Sequence, residues 1–338
     1  MKEYGGYIQL DTYRGQEYYP NLLSFNSGRG ALRFLIRIRN IKKLYLPGFC
    51  CSTVWEACEA ERISWEFYQV DDGFRPVFDK ELENGEWLYI VNHYGVFASC
   101  EMEAMIRQFG QVIVDHTHAF FRPPLAGADT LYSCRKFFGV PDGAYLSLGL
   151  KDDQEYAGRM KRFSESAWQQ YSLLPMDQSF DRMHFLLGRY EAPASKFYQE
   201  YAENNERFTS EPVKQMSSLT HNLLRAIDYE EANARRTRNF SFLSRQLSHM
   251  NRLFLPMIPG AFAYPLWLKE GLGKGPEIRR ELIRHKVYIP CLWPEVEKQC
   301  PKDSADCQMA ENILPLPVDQ RYQEADMREI LDRLLSLI

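Results

Sequence analysis

The feature that most constrains the fold is an alternation of short apolar runs with helix-like stretches between about residues 30 and 150. The runs have the length and composition of buried strands, and the stretches have the apolar spacing of helices. We predict strands at Lys43–Leu46, Trp65–Val70, Trp87–Val91, Gln111–Asp115, Thr130–Cys134 and Ala144–Leu148, and helices at Gly30–Asn40, Cys51–Arg62 and Cys100–Phe109. Because strands that alternate with helices form βα units, this half predicts an α/β fold with a mostly parallel sheet.

The second half of the chain has a different pattern. Charged, amphipathic segments up to about residue 246 predict long helices, the last of them at Asn222–Gln246. The end of the chain predicts strands at Ala261–Leu268 and Val287–Pro290 and helices at Glu277–Lys286 and Glu324–Ile338. The length of 338 residues fits two domains. We predict a large domain at residues 1–215, which includes an N-terminal arm, and a linking helix with a small α+β domain at 216–338.

Charge and hydropathy exclude several classes of partner. The net charge is −4, and the lysines and arginines are scattered, so we expect no nucleic-acid or anionic-membrane partner. No apolar run is long enough for a membrane span, and the residues from Met1 to Tyr7 lack a signal-peptide pattern. We therefore expect a cytoplasmic protein whose eight cysteines are reduced. The cysteines do not form paired CxxC motifs, so no structural zinc is predicted.

The segment from Asn26 to Leu32 reads NSGRGAL and leads directly into a predicted helix. Its backbone N–H groups could bind a phosphate at the helix N-terminus, although two glycines before a helix also form ordinary tight turns. Arg29, Arg33 and Arg37 lie on one face of that helix. We interpret this face as solvated at Arg33 and Arg37.

Asp115 ends a predicted buried strand, where ligands of α/β sheets bind. It is a candidate electrostatic partner of a ligand, or else a cap of the next turn. His116 and His118 follow it, but no third convergent zinc ligand is identifiable nearby. We therefore do not predict a metal site here.

Lys136 follows the predicted strand Thr130–Cys134 and precedes Phe137 and Phe138. Burial among such neighbours would lower the pKa of a lysine and make it a better Schiff-base nucleophile. The alternative is a surface lysine whose stem packs on these rings.

Taken in order, these segments resemble the DegT/DnrJ/EryC1/StrS family, whose members are pyridoxal-phosphate (PLP) enzymes with the type I aminotransferase fold. Most of them act on nucleotide-linked keto sugars. Ser27–Leu32 is similar to the family's SGTxAL phosphate loop, Leu46–Phe49 to VPxxT, Val91–Gly95 to VHxxG and Val114–Ala119 to EDxAQA or EDAAHA, and Lys136 with Pro141–Ala144 matches the Schiff-base lysine and the glycines after it. The resemblance covers most of the chain and is stronger in the first half.

The resemblance implies a role for each matching residue. Lys136 would hold PLP covalently and shuttle a proton, and Asp115 would pair with the pyridinium nitrogen. His118 would lie against the ring or its phenolic oxygen. Gly28 and Arg29 would contact the phosphate, with Arg29 replacing a threonine of the family.

Two departures from the family pattern suggest a divergent branch. The family serine five residues before the lysine is Leu131 here, so we assign the phosphate contact to Ser133. Where many members have an aromatic residue that stacks on the ring, this chain has Cys50 and Cys51, and we assign that role to the adjacent Phe49.

The function implied by the resemblance is transfer of an amino group, with glutamate as the expected donor, onto a nucleotide-linked keto sugar or a similar small carbonyl metabolite. The family also implies a homodimer with active sites at the subunit interface. Five tyrosines between Tyr4 and Tyr19 form an arm that either packs on a neighbouring subunit or folds back on its own domain.

Two alternative functions remain open from the sequence. One is a PLP-dependent elimination or dehydration enzyme; Lys136 argues only against the dehydratase branch in which histidine replaces the lysine. The other is a binding module that keeps the fold without catalysis. The combination of Lys136, Asp115 and the phosphate loop favours an enzyme.

Overall fold

The computed structural model describes residues 4–149 and 157–338. Within these residues, eight strands form one sheet and two strands form a second. The strands are β1 Leu23–Phe25, β2 Lys43–Pro47, β3 Ser64–Val70, β4 Pro76–Val77, β5 Glu86–Val91, β6 Val112–Asp115, β7 Asp129–Ser133, β8 Ala144–Ser147, β9 Ala263–Leu266 and β10 Leu314–Pro317. The helices are α1 Gly28–Arg39, α2 Ser52–Glu61, α3 Ser99–Phe109, α4 Ala157–Ser172, α5 His184–Glu191, α6 Tyr198–Ser210, α7 Ser218–Leu224, α8 Tyr229–Leu247, α9 Gly275–Arg284, α10 Val296–Gln299, α11 Ala305–Asn312 and α12 Glu324–Leu335.

The large sheet has the strand order β1-β8-β7-β6-β5-β2-β3-β4. The five central strands β7, β6, β5, β2 and β3 are parallel to one another. At the edges, β8 pairs antiparallel with β7 and β1, and β4 pairs antiparallel with β3. The prediction of an α/β fold with a mostly parallel sheet is confirmed. Because parallel strands point the same way, their carboxyl ends and the loops that follow lie along one edge of the sheet.

Both faces of the large sheet are buried, which explains why its central strands are apolar runs. Leu46, Val91 and Ile113 face a cluster formed with α1 and α2. The alternate residues of the same strands, such as Ile90 and Val114, face a second cluster that continues into β9, β10 and α12. The C-terminal part therefore packs on the sheet through a continuous core, and the domain division at residues 215 and 216 stays a prediction.

One predicted strand is wrong. Val287–Pro290 lies outside any strand, because β9 pairs antiparallel with β10. Val287 and Ile289 are buried, whereas Tyr288 and Pro290 are exposed. The alternation that predicted a strand is therefore present in an extended segment that has no strand partner.

The long helix predicted at Asn222–Gln246 is divided between α7 and α8. The division has a local cause, since Asp228 caps α8 by accepting a hydrogen bond from the backbone N–H of Glu231 at 2.9 Å.

The interpretation of Arg33, on α1, as a solvated residue is wrong. Its side chain is 13% exposed, and its Nε donates to Glu61 Oε1 at 2.8 Å.

The N-terminal arm divides into two parts. Tyr19 is buried, and its hydroxyl lies 2.6 Å from the carbonyl oxygens of Phe120 and Arg122 in its own chain. Tyr4 and Tyr7 are exposed.

All eight cysteines lie in the described residues as free thiols. No described helix is both long and apolar enough to cross a bilayer.

A buried arginine joins the turn after β7 to the C-terminal part of the chain. Arg236, on α8, is 2% exposed and donates to the carbonyl oxygens of Phe137 at 3.1 Å and Ala261 at 3.0 Å. Its Nε donates to Gln320 Oε1 at 2.7 Å. Burial lowers the pKa of Arg236 to about 10, partly offset by the charge of Asp319, so the guanidinium stays protonated at neutral pH.

Replacing this arginine should destabilise the fold strongly. In Arg236→Met, two buried carbonyl oxygens lose their charged donor, and we expect a loss of about 3 kcal/mol or more in the free energy of unfolding. Arg238→Met is the matched control on the same helix, because the Arg238 side chain is 57% exposed. It should change stability by less than about 0.5 kcal/mol. Urea unfolding followed by circular dichroism measures both, and equal effects would contradict the assignment.

Candidate active site

A cavity of about 330 Å³ lies beside the carboxyl ends of β2, β5, β6 and β7 and the N-terminus of α1. Parallel strands place this edge where α/β proteins bind ligands. Six of the seven residues predicted from the sequence line it together: Gly28, Arg29, Asp115, His118, Ser133 and Lys136. The seventh, Phe49, does not line the cavity.

The N-terminus of α1 presents unpaired donors at the cavity. Ser27 caps the helix, and its Oγ accepts from the backbone N–H of Gly30 at 3.0 Å. The backbone N–H groups of Gly28 and Arg29 have no acceptor among the described residues. A Cβ placed on Gly28 would meet no atom within 4 Å. Open space next to free helix N–H groups suits an anion.

Arg29 adds a guanidinium to this end of the cavity. Its side chain is 8% exposed, and Nη2 lies 3.0 Å from Glu56 Oε2. Its Nη1 donates to Thr209 Oγ1 on α6. Burial lowers the pKa of Arg29, and the Glu56 carboxylate offsets part of that effect. A positive charge therefore stands where the resemblance predicts a phosphate contact.

Asp115 is buried at the end of β6 and has two hydrogen bonds. Oδ1 accepts from the Thr117 backbone N–H at 2.7 Å, and Oδ2 accepts from the Tyr89 hydroxyl at 2.7 Å. Burial raises the pKa of Asp115, while both hydrogen bonds and the charge of Lys136 oppose the rise. Asp115 therefore caps the next turn and also faces the cavity, so the two readings from the sequence are not exclusive.

Lys136 lies in a short 3-10 turn, Cys134–Lys136, directly after β7. Its side chain is exposed and Nζ lies 5.7 Å from the ring centre of Phe262. The sequence left a buried and a surface lysine open, and the structure shows the exposed one: Phe137 and Phe138 are buried, whereas Lys136 lies at the open side of the cavity.

His118 is held between aromatic rings from the C-terminal part. Its ring is stacked on Phe262 at 4.2 Å and on Trp293 at 5.4 Å, measured between ring centres. Nδ1 accepts from the Tyr94 backbone N–H at 3.4 Å, which assigns the ring proton to Nε2. Burial and the charge of Lys136 hold the pKa of His118 well below its ordinary value. His118 is therefore a neutral ring at physiological pH.

Phe49 packs behind the cavity instead of lining it. It is fully buried and stacks on His93 at 5.1 Å, with its ring edge to Trp293 at 4.6 Å. Trp293 is the aromatic residue that reaches the cavity from this cluster.

Ser133 lines the cavity as predicted, and its hydroxyl has no hydrogen-bond partner among the described residues.

Several lining residues were missed in the sequence. They are Tyr89, Arg135, Tyr201, Asn205 and Trp293. Arg135 is adjacent to Lys136 and could have been found from that position. The residues of α6 and Trp293 carry no motif, since long-range packing alone brings them to the cavity.

His116 and His118 do not share a metal site. Burial lowers the pKa of His116 to about 3, and neither of its ring nitrogens has a hydrogen-bond partner. Across the described residues, no group of three or more potential ligands could hold a metal ion.

Comparison with known proteins connects this arrangement to a fold. No model of a known protein family matches the sequence, and no curated protein matches it. Among solved structures, the chain is similar to Spr1654 from Streptococcus pneumoniae, assigned as a sugar aminotransferase and solved in its PMP form. The identity is 12% and the TM-score 0.65, over 93% of this chain and 87% of that one.

Two further structures agree. The sugar aminotransferase CalS13 from Micromonospora echinospora is 12% identical with a TM-score of 0.63, over 94% of this chain and 87% of that one. A DegT/DnrJ/EryC1/StrS aminotransferase from Brucella abortus is 13% identical with a TM-score of 0.59, over 93% of this chain and 85% of that one. The chain has the fold of these aminotransferases.

On this fold, the cavity combines an anion site with an acid and a lysine. Asp115 follows β6, Lys136 follows β7, and Gly28 follows β1, which lies on the other side of β7 from β6 in the strand order. Lys136 thus follows the strand that lies between the strand of Asp115 and the strand that leads into α1. A ligand that carries a phosphate, a reactive carbonyl and a basic nitrogen fits this order of groups.

Proposed function

We propose that the chain is a PLP-dependent aminotransferase, a divergent member of the DegT/DnrJ/EryC1/StrS family that moves an amino group from glutamate onto a nucleotide-linked keto sugar. The observation that carries the proposal is that Lys136, Asp115, His118 and the N-terminus of α1 line one cavity. The aminotransferase fold of the chain supports it, as do the solved PLP and PMP forms of Spr1654.

The residues of the cavity fit PLP. The free N–H groups of α1 and the Arg29 guanidinium suit its phosphate, which carries close to two negative charges at neutral pH. Asp115 could hold a proton on a ring nitrogen, because its carboxylate lies at the cavity and its two hydrogen bonds oppose the rise in pKa that burial causes. Lys136 presents an amine at the open side of the cavity, where it can bind the aldehyde.

In the proposed mechanism, bound PLP supplies an electron sink for the bond changes at the amino carbon of the substrate. Lys136 would hold the cofactor through its amine and would move a proton at the amino carbon of the substrate. Asp115 would keep the ring nitrogen protonated, which would keep the electron sink strong. His118 presents a neutral ring with its proton on Nε2 and packs between Phe262 and Trp293. These rings also help to exclude water.

The identities of donor and acceptor rest on the resemblance and on the solved sugar aminotransferases with this fold. A half-reaction tests the donor: mixing the PLP-loaded protein with glutamate should convert the absorbance of the aldehyde form into that of the pyridoxamine form. Nucleotide-linked keto sugars should then restore the first spectrum. Release of a keto acid and ammonia from serine, whose hydroxyl is a leaving group beside the amino carbon, without formation of the pyridoxamine form would instead indicate the elimination chemistry.

The covalent link should form at Lys136. Purified protein with PLP should be yellow, and borohydride reduction should fix the label on the single peptide that contains Lys136, identified by mass spectrometry. Lys136→Ala should lose the fixed label, since it removes the only amine that lines the cavity among the described residues. Lys80→Ala, at a surface position, is the control and should keep it. A label on another lysine would contradict the assignment.

Asp115 should keep the ring nitrogen of bound PLP protonated and not serve only as a cap of the next turn. Asp115→Asn keeps the shape and can still accept from Thr117, but a neutral amide does not hold the ring proton. We expect the rate of the glutamate half-reaction to fall by roughly 100-fold or more, with an unchanged unfolding temperature and PLP still bound. Stopped-flow absorbance measures the rate. Near-normal turnover would return Asp115 to the capping role.

The proposal includes a homodimer. Apart from those of the N-terminal arm, the exposed large apolar side chains are concentrated between residues 168 and 201: Trp168, Leu173, Met176, Phe180, Leu187, Tyr190, Tyr198 and Tyr201. Exposed apolar surface of this extent is typical of protein interfaces. The same stretch borders the cavity, because Phe185 and Leu186 of α5 and Tyr201 of α6 line it. A second subunit on this surface would lie next to the active site.

Sedimentation at micromolar concentration should therefore report a dimer. The double variant Leu187→Lys, Tyr190→Lys adds charge to the exposed face of α5 and should weaken dimerisation by at least about tenfold. Phe254→Lys is the matched control, because Phe254 is 99% exposed and lies outside this stretch. A monomeric, fully active protein would remove the dimer and leave the cofactor assignment standing.

A further inference from the structure

We propose that Arg135, together with Arg29, forms a two-guanidinium site for the phosphate dianion of the cofactor, and that α6 sets both guanidiniums in place. This inference rests on the proposed function and assigns to Arg135 a role that the family pattern did not suggest. Arg135 is therefore a further binding residue of the same cavity.

Both guanidiniums have donors that the protein leaves unused. The Nε atoms of Arg29 and Arg135 are shielded from solvent and have no hydrogen-bond partner. Arg135 uses only Nη2, which donates to Asn205 Oδ1. Both side chains line the cavity next to the N-terminus of α1. Nη1 of Arg135 has no acceptor among the described residues either, and unlike Nε it is not fully shielded, so a ligand in the cavity can reach it.

The charges around Arg135 are unbalanced. Arg29 pairs with Glu56, and the neighbouring Arg182 pairs with Asp177 at 2.5 Å. Arg135 has no carboxylate within 4.0 Å among the described residues. Burial lowers the pKa of Arg135, Tyr201 and Asp142 oppose this effect, and the charges of Arg182 and Arg29 add to it. Because Arg135 has no ion-pair partner among the described residues, a dianion in the cavity would supply its missing counter-charge.

Helix α6 holds the two guanidiniums through residues one turn apart. Asn205 accepts from Arg135 and Thr209 accepts from Arg29, and this i, i+4 spacing puts both acceptors on one face of the helix. Phe208 of the same helix lies 4.8 Å from the Arg135 guanidinium. Arg135 is thus restrained by a neutral partner that does not neutralise its charge, whereas Arg29 also pairs with Glu56.

The number of donors favours a phosphate over a carboxylate. Two guanidiniums and the free N–H groups of Gly28 and Arg29 exceed what one monoanionic carboxylate can satisfy. A phosphate monoester has three terminal oxygens and close to two charges at neutral pH. Such a group could belong to the cofactor or to a phosphorylated substrate, and the experiment separates these sources.

The test compares PLP with pyridoxal, which lacks the phosphate. The cofactor-free full chain is titrated with each compound, and the absorbance of the Lys136 adduct gives the dissociation constant. Arg135→Met should weaken PLP binding by roughly 10- to 100-fold and change pyridoxal binding by less than about twofold. Arg135→Lys keeps the charge but loses the planar donors, so its loss should be smaller. Arg37→Gln, a charge change at an exposed position of α1, is the matched control and should leave both constants unchanged.

Inorganic phosphate provides a readout that is independent of the adduct. It should compete with PLP in the unaltered protein and compete at least about tenfold more weakly in Arg135→Met. If Arg135→Met does not fold, Arg135→Lys carries the same comparison.

Equal losses for PLP and pyridoxal, or no loss for either, would overturn the proposal. A loss for inorganic phosphate without a loss for PLP would also overturn it, because the anion would then belong to another phosphorylated ligand. Absence of any PLP adduct in the unaltered protein would instead refute the proposed function, so the two failures are distinguishable.

Discussion

The arrangement of the cavity depends on one buried cation, Arg236. Its guanidinium binds the carbonyl of Phe137, the residue after Lys136, and the carbonyl of Ala261, the residue before Phe262. Gln320 Nε2 donates to the same Phe137 carbonyl at 2.8 Å. Carbonyl oxygens do not neutralise a guanidinium, and the charge of Asp319 offsets part of the cost of burying it. The turn of Lys136 and the ring that stacks on His118 are thereby placed by the same side chain.

Burial acts on the two ends of the cavity in opposite directions. It raises the pKa of Asp115 and lowers the pKa of Arg29, so in each case it works against the charged form. The protein opposes this effect with local partners, which are Tyr89 and Thr117 for the acid and Glu56 for the arginine. The charges of Asp115 and Arg29 at the cavity are therefore held in position by the protein itself, an arrangement that favours electrostatic preorganisation.

The sequence predicted the parts of the site that are governed by local rules. Asp115 and Lys136 were found because each follows an apolar run, and the carboxyl ends of parallel strands necessarily meet at one edge. Gly28 was found because a helix begins there. Asn205 and Thr209 could not be found, since nothing in an amphipathic helix tells which remote wall its polar face will cover. The strand predicted at Val287–Pro290 failed for a related reason: alternation specifies burial on one side, but not a partner strand.

The structure places Trp293, and not the predicted Phe49, on the aromatic wall of the cavity. Cys50 and Cys51 are small, and Phe49 turns away from the cavity to stack on His93. Trp293 occupies the cavity wall from the far end of the chain, with a φ of 58°. A bulky residue in the left-handed region is strained, so its packing against Phe49 and His118 must hold it there. The aromatic wall of this cavity is therefore a product of the contact between the sheet and the C-terminal part, and it exists only while that contact is closed.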